Sequence, residues 1–139
     1  MKIKKFSNFD LYKIILKRFL LIFKTEQNTL GSRHSFKNIN GVDDAPNVLI
    51  TYVSEVFDKE NDKVWMEGHA NRWQTKEIVN LFLKKGFNVD IVDHKDLKFT
   101  PQKKYDVIFG HEPLYWILVK KYDFKTKIYY ATTLTWIHL

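Results

Sequence analysis

Residues 48–53 read VLITYV, a short apolar run with β-branched side chains and no charge. Apolar residues at successive rather than alternate positions mark a strand buried on both faces of a parallel sheet. Residues 72–85 (RWQTKEIVNLFLKK) follow with apolar side chains at helical spacing, and Trp73, Ile78, Leu81 and Phe82 are the expected inward face. Gly86 then stands where a helix favours glycine, behind Lys84 and Lys85 at its negative end. Residues 88–92 (NVDIV) give a second strand, and residues 106–109 (DVIF), extended to Gly110, a third. Pro113 is expected in the first turn of a helix reaching Lys121, and residues 127–131 (KIYYA) give a fourth strand. Two strand–helix–strand units predict an α/β class with a mainly parallel sheet, the start of a doubly wound, Rossmann-like arrangement. Ligands in such sheets bind outside the carboxyl ends of the strands, here residues 54–71, 93–97, 110–113 and 132–136.

Upstream of this block the composition changes. The 139-residue chain carries a formal net charge of +7, and the excess sits entirely in its first 41 residues. Those hold nine Lys/Arg against Asp10 and Glu26, whereas residues 42–139 hold fourteen of each sign. The basic pI is therefore a property of an N-terminal arm, and it says nothing about the ligand of the rest. Residues 11–24 (LYKIILKRFLLIFK) place Asp10, Lys13, Lys17 and Lys24 opposite Leu11, Ile15, Phe19 and Ile22. Their longest apolar run, residues 19–23, is far short of the roughly 20 residues a membrane span needs. Such a basic amphipathic helix suits an anionic membrane surface, or docking on its own domain or a partner. Residues 25–46, with Gly31, Gly41, Pro46 and many Ser, Asn and Asp, read as a flexible linker. The expected organisation is an arm and linker over residues 1–46 and a folded part over residues 47–139.

Several chemistries are excluded. The chain has no cysteine, which removes disulfides, zinc–thiolate sites and thiol nucleophiles. Neither G-x-G-x-x-G nor a P-loop occurs, nor the G-x-S-x-G nucleophile elbow. The five histidines (34, 69, 94, 111 and 138) show no metal-ligand spacing, so no metal site is expected. Nucleic-acid binding would rest on the arm alone and is not expected. Two positive features remain. Gly68-His69-Ala70-Asn71-Arg72 leads into a helix, whose free N–H groups attract anions and to which Arg72 adds a guanidinium. The same residues also suit an ordinary helix start with Asn71 as its cap and Arg72 solvated. His111 lies just past the third strand, placed for a ligand or simply in a surface turn. Asp90 and Asp93 fit either ribose contacts or solvated turn acids.

Three stretches together resemble the N-terminal half of a GT-B glycosyltransferase of the family-4, or group 1, kind. His69-Ala70-Asn71-Arg72-Trp73-Gln74, with Ile78 and then Gly86-Phe87-Asn88-Val89-Asp90, looks like the family's loop, first helix and second strand. Tyr105-Asp106-Val107-Ile108-Phe109-Gly110-His111-Glu112-Pro113 is similar to its "yDvvh-x-H-x-P" segment. Lys127-Ile128-Tyr129-Tyr130-Ala131-Thr132 is similar to its next strand and the threonine after it. The match covers about two thirds of the chain.

The resemblance implies transfer of a sugar from a nucleotide-sugar donor, in surface polysaccharide biosynthesis at the cytoplasmic side of a membrane. In the family this half holds a sugar or lipid-linked acceptor. A second Rossmann-like domain binds the donor, so the nucleotide sugar is a substrate and no cofactor is implied. By the same likeness Gly68, His69, Asn71 and Arg72 line the cleft and His111 stands beside the acceptor. Thr135 takes the place where many relatives carry a histidine, and His138 does not align. No donor domain follows before Leu139, so the expectation is an enzyme half that is incomplete alone, its donor domain supplied by a second chain. The other expectations are a non-catalytic α/β module docking through the basic arm, and a flavodoxin-like or other nucleotide-binding domain.

Overall fold

The computed structural model describes residues 32–131. The expected arm helix 11–24 and Thr135 lie outside them. Five strands form one sheet: β1 (Arg33–Phe36), β2 (Asn47–Tyr52), β3 (Asn88–Asp93), β4 (Val107–Gly110) and β5 (Thr126–Tyr129). Their order is β1-β3-β2-β4-β5, with β1 antiparallel to β3 and every other pairing parallel. Between β2 and β3 come a 3-10 turn (Ser54–Phe57), the short helix α1 (Lys63–Glu67) and the long helix α2 (Ala70–Lys84); α3 (Leu114–Lys121) joins β4 to β5. The chain leaves β2 to one side for β3 and then crosses to the other side for β4. This is a mixed α/β, mostly parallel architecture compatible with a Rossmann-like fold.

The residues that begin the argument form its centre. Val48, Leu49 and Ile50 are fully buried, each contributing about 1.5–3 kcal/mol by removal from water. Because successive side chains alternate, Val48, Ile50 and Tyr52 face α2 while Leu49 faces α3. On the α2 side they meet Val79, Val89 and Ile91; on the α3 side Leu49 joins Ile108, Leu114, Tyr115 and Leu118. Helices therefore cover both faces.

Two sequence expectations shift. The buried stripe of α2 is Thr75, Ile78, Val79 and Phe82, while Trp73 and Leu81 are more than half exposed. The stripe is turned so that the shorter Thr75 and Val79 meet the sheet. The end of α2 is as expected: Gly86 has φ +86°, its N–H donates to Leu83 O, and Phe87 N–H reaches back to Phe82 O at 3.0 Å. The Phe82 and Phe87 rings then close the end edge-on at 5.6 Å.

The second shift lies in residues 25–46, expected to be linker. Arg33–Phe36 pair with β3 as an edge strand. Arg33 Nε and Nη2 both donate to the buried Asp96 carboxylate, at 2.9 and 2.7 Å. Asn38, also buried, donates to Asn88 Oδ1 at 2.9 Å. The expected boundary at residue 46 thus falls inside one sheet.

Candidate functional site

Register puts four strand ends at one level. Tyr52 is opposite Asp93, and Thr51 opposite Gly110. His94 N–H donates to Tyr52 O at 3.0 Å, and His111 N–H to Thr51 O at 2.8 Å. The aromatic rings then gather around Tyr52: His94 at 6.5 Å, His111 at 6.3 Å and Tyr130 at 5.6 Å, with His94 and His111 5.5 Å apart. This cluster stands at the carboxyl ends of β2, β3, β4 and β5, where the strand order changes direction.

The polar atoms here are in an unusual state. Tyr52 is buried, and its hydroxyl has no hydrogen-bond partner among the described residues; the same holds for His94 Nδ1. Burial raises the Tyr52 phenol to about 12, with Tyr130 adding to the effect. Burial also holds His94 below the ordinary imidazole range; Asp93 opposes this, and His111 reinforces it. His111 Nδ1 lies 3.3 Å from Tyr130 O. A carbonyl oxygen only accepts, so Nδ1 carries the hydrogen of that bond. Chemically, the cluster offers in His94 an imidazole that burial keeps neutral, and buried hydroxyl and imidazole groups able to orient a hydrogen-bonding ligand.

The second expected element sits at the α1–α2 junction. Asp62 caps α1 through Trp65 N–H at 3.0 Å. Because α1 closes at Gly68, α2 can begin directly at Ala70, with His69 rather than Asn71 at the cap position and no side-chain cap. Asn71 is the second residue of the helix, where its Oδ1 is buried with no hydrogen-bond partner among the described residues. Gly68 and His69 are exposed. Arg72 folds back: its guanidinium lies 4.0 Å over the Trp65 ring and donates to Trp65 O. A Cβ on Gly68 would stand 2.7 Å from Arg72 Nη1. Gly68, Arg72 and Trp65 are thus brought together among themselves. The tie from α2 to the strand-end cluster is Gln74, whose Oε1 accepts from Tyr130 OH at 3.5 Å.

Tyr52, His94 and Tyr130 were not singled out as site residues by sequence. His94 carries the same signal as His111, a histidine just past a strand; Tyr52 is hidden inside the run that reads as core. Asp93 accepts from Lys95 N–H at 2.9 Å, as a turn acid does, and Asp90 accepts from Tyr105 OH. Among the described residues no group of three His, Asp or Glu could hold a metal ion, and no helix is long and apolar enough to cross a membrane.

Comparison with protein-family models, with curated proteins and with solved structures finds no match to this chain.

Proposed function

We propose that this chain is the acceptor-side, N-terminal half of a GT-B glycosyltransferase, acting with a donor-binding domain on another chain or segment. One observation carries the reading. Gln74, His111 and Tyr130 come one from each of the three stretches similar to that family, and they are hydrogen-bonded in series beside the strand ends. These contacts support the reading because they lie at the carboxyl ends of the strands, where sheets of this kind bind ligands.

In this reading the acceptor hydroxyl meets His111. Its oxygen bonds to the anomeric carbon of the donor sugar while the bond from that carbon to the nucleotide phosphate breaks. The phosphate leaves with the electron pair, and the hydroxyl proton passes to the His111 imidazole. Such chemistry belongs to the cytoplasmic side of a membrane, where surface polysaccharide is assembled on a sugar or lipid-linked acceptor.

The test is histidine-resolved NMR of the full chain. Acceptor glycosides should move the His111 imidazole resonances, and a nucleotide sugar alone should leave them in place. Tight, saturable binding of a nucleotide sugar by calorimetry, or co-purification of a flavin, overturns the reading.

A further inference from the structure

We propose that the outer face of α3 and the adjoining side of β5 form a docking surface for an anionic lipid bilayer. The inference does not rest on the transferase reading, and its test uses no sugar.

Two periodicities bring its residues together. In α3, Leu114, Tyr115 and Leu118 are buried against the sheet. At about 100° per residue, positions 116, 117, 120 and 121 share one outer arc of about 140°. They are Trp116, Ile117, Lys120 and Lys121, with no acid among them. Trp116 is 44% exposed and Ile117 41%, and both lysines are exposed. In β5, alternation puts Lys127 on the same side as Tyr129, whose ring packs against that of Trp116 with centres 5.0 Å apart. Lys127 is exposed as well. Exposed apolar side chains and three ammonium groups thus lie side by side on one surface.

The chemistry of that surface selects its occupant. Tryptophan and tyrosine rings settle at the level of lipid headgroups, where one end is apolar and the other wet. Lysines beside them lay their stems along apolar surface and keep their ammonium groups among anionic headgroups. Among the described residues no carboxylate pairs with Lys120, Lys121 or Lys127. Asp123, exposed in the turn after α3, opposes them. Glu112 adds no open charge, because it accepts from Tyr129 OH at 3.1 Å and has a further partner. Three lysines against Asp123 leave the surface positive. A protein partner is the competing occupant. Protein interfaces favour arginine and are depleted in lysine, whereas every cation of this surface is a lysine, which favours the bilayer.

The test exploits the absence of cysteine, since one introduced thiol then carries one environment-sensitive fluorophore. The label is placed through Ile117→Cys on the surface and, as the control, through Asn80→Cys, exposed on α2 across the sheet. The full chain is used, with Lys13→Gln, Lys17→Gln, Arg18→Gln and Lys24→Gln so that the basic arm does not itself hold it on vesicles. Phosphatidylglycerol vesicles should raise the emission of the 117 label saturably and leave the 80 label unchanged. Phosphatidylcholine vesicles should move neither. Lys120→Gln together with Lys121→Gln should raise the lipid concentration for half the signal about 25-fold, at about fivefold for each lysine near an anionic surface. Co-sedimentation of the unlabelled chain and of its lysine variant with the same vesicles should give the same ratio, independently of the label. No response at 117, an equal response at 80, an equal response to phosphatidylcholine, or an unchanged midpoint in the lysine variant overturns the docking surface. None of these outcomes bears on His111 or on acceptor binding, so the two proposals fail separately.

Discussion

Gly110 runs so close to Thr51 that a Cβ at position 110 would lie 2.0 Å from Thr51 Oγ1 and 2.4 Å from Thr51 O. Neither the hydroxyl of a buried strand residue nor its carbonyl can retreat, because Thr51 O also accepts from His111 N–H. Gly110→Ala should therefore destabilise by about 1–3 kcal/mol, as overpacking in a core does. Gly68→Ala is the control. Its new Cβ would meet the far end of Arg72, which can move, so the denaturation midpoint should change much less. Urea unfolding of both variants checks the contrast; equal losses would mean that strands β2 and β4 have room to part.

Buried strands were legible because their signal is composition: VLITYV has no polar alternative to a fully covered strand. The carboxyl-end position of His111 followed from the same run of elements. β1 was not legible. RHSF has one large apolar residue in four, since an antiparallel edge strand turns half its side chains to solvent, and it sits among the Gly, Asn and Asp of a stretch that reads as linker. The inward face of α2 is not legible for a related reason. Trp73 and Leu81 are the bulkier apolar residues, yet spacing alone cannot say which stripe the sheet accepts. Tyr52 was not legible either, because an apolar run gives no sign that the tyrosine hydroxyl in it is buried with no partner among the described residues.

Arg33 tests whether that edge strand belongs to the domain. Both its donors bind one oxygen of Asp96, which is 5% exposed, while Arg33 itself is about half exposed. Arg33→Ala strands a buried carboxylate, and the expected loss is about 1–3 kcal/mol, below the range for a fully buried pair. Hydrogen exchange should show residues 33–36 opening first. Unchanged stability and exchange would mean that β1 contributes nothing to the fold.

Tyr52→Phe should do the opposite. The hydroxyl is buried with no partner among the described residues, so its removal lifts a desolvation cost and should leave stability unchanged or raise it by up to about 1 kcal/mol. The phenol also fixes an alkaline limit. Its folded pKa, about 12, lies above the value near 10 expected when unfolded. Its contribution is thus intact below pH 10 and is lost as pH rises through 10 toward about 12. Absorbance titration should find Tyr52 still protonated after exposed tyrosines have ionised. A marked loss of stability in Tyr52→Phe at neutral pH would show that the hydroxyl has a partner.

His94 sets the acid side. Burial holds its pKa down, with His111 adding to the effect and Asp93 resisting it. Unfolded histidine titrates near 6.5, so below that pH the unfolded chain takes up a proton that folded His94 refuses. Stability should fall as pH drops below about 6.5, and His94→Gln should flatten that slope. Asp106, whose carboxyl is lowered chiefly by its hydrogen bond with Lys125, adds a loss that begins only as pH falls below its ordinary value of 3.8. Removing the second imidazole separates the causes. In His111→Gln the His94 resonance should titrate higher than in the parent chain, because one source of repulsion is gone while burial remains. If His94 titrates at the same pH in both, the 5.5 Å pair is not electrostatically coupled, and His94 answers to burial and Asp93 alone.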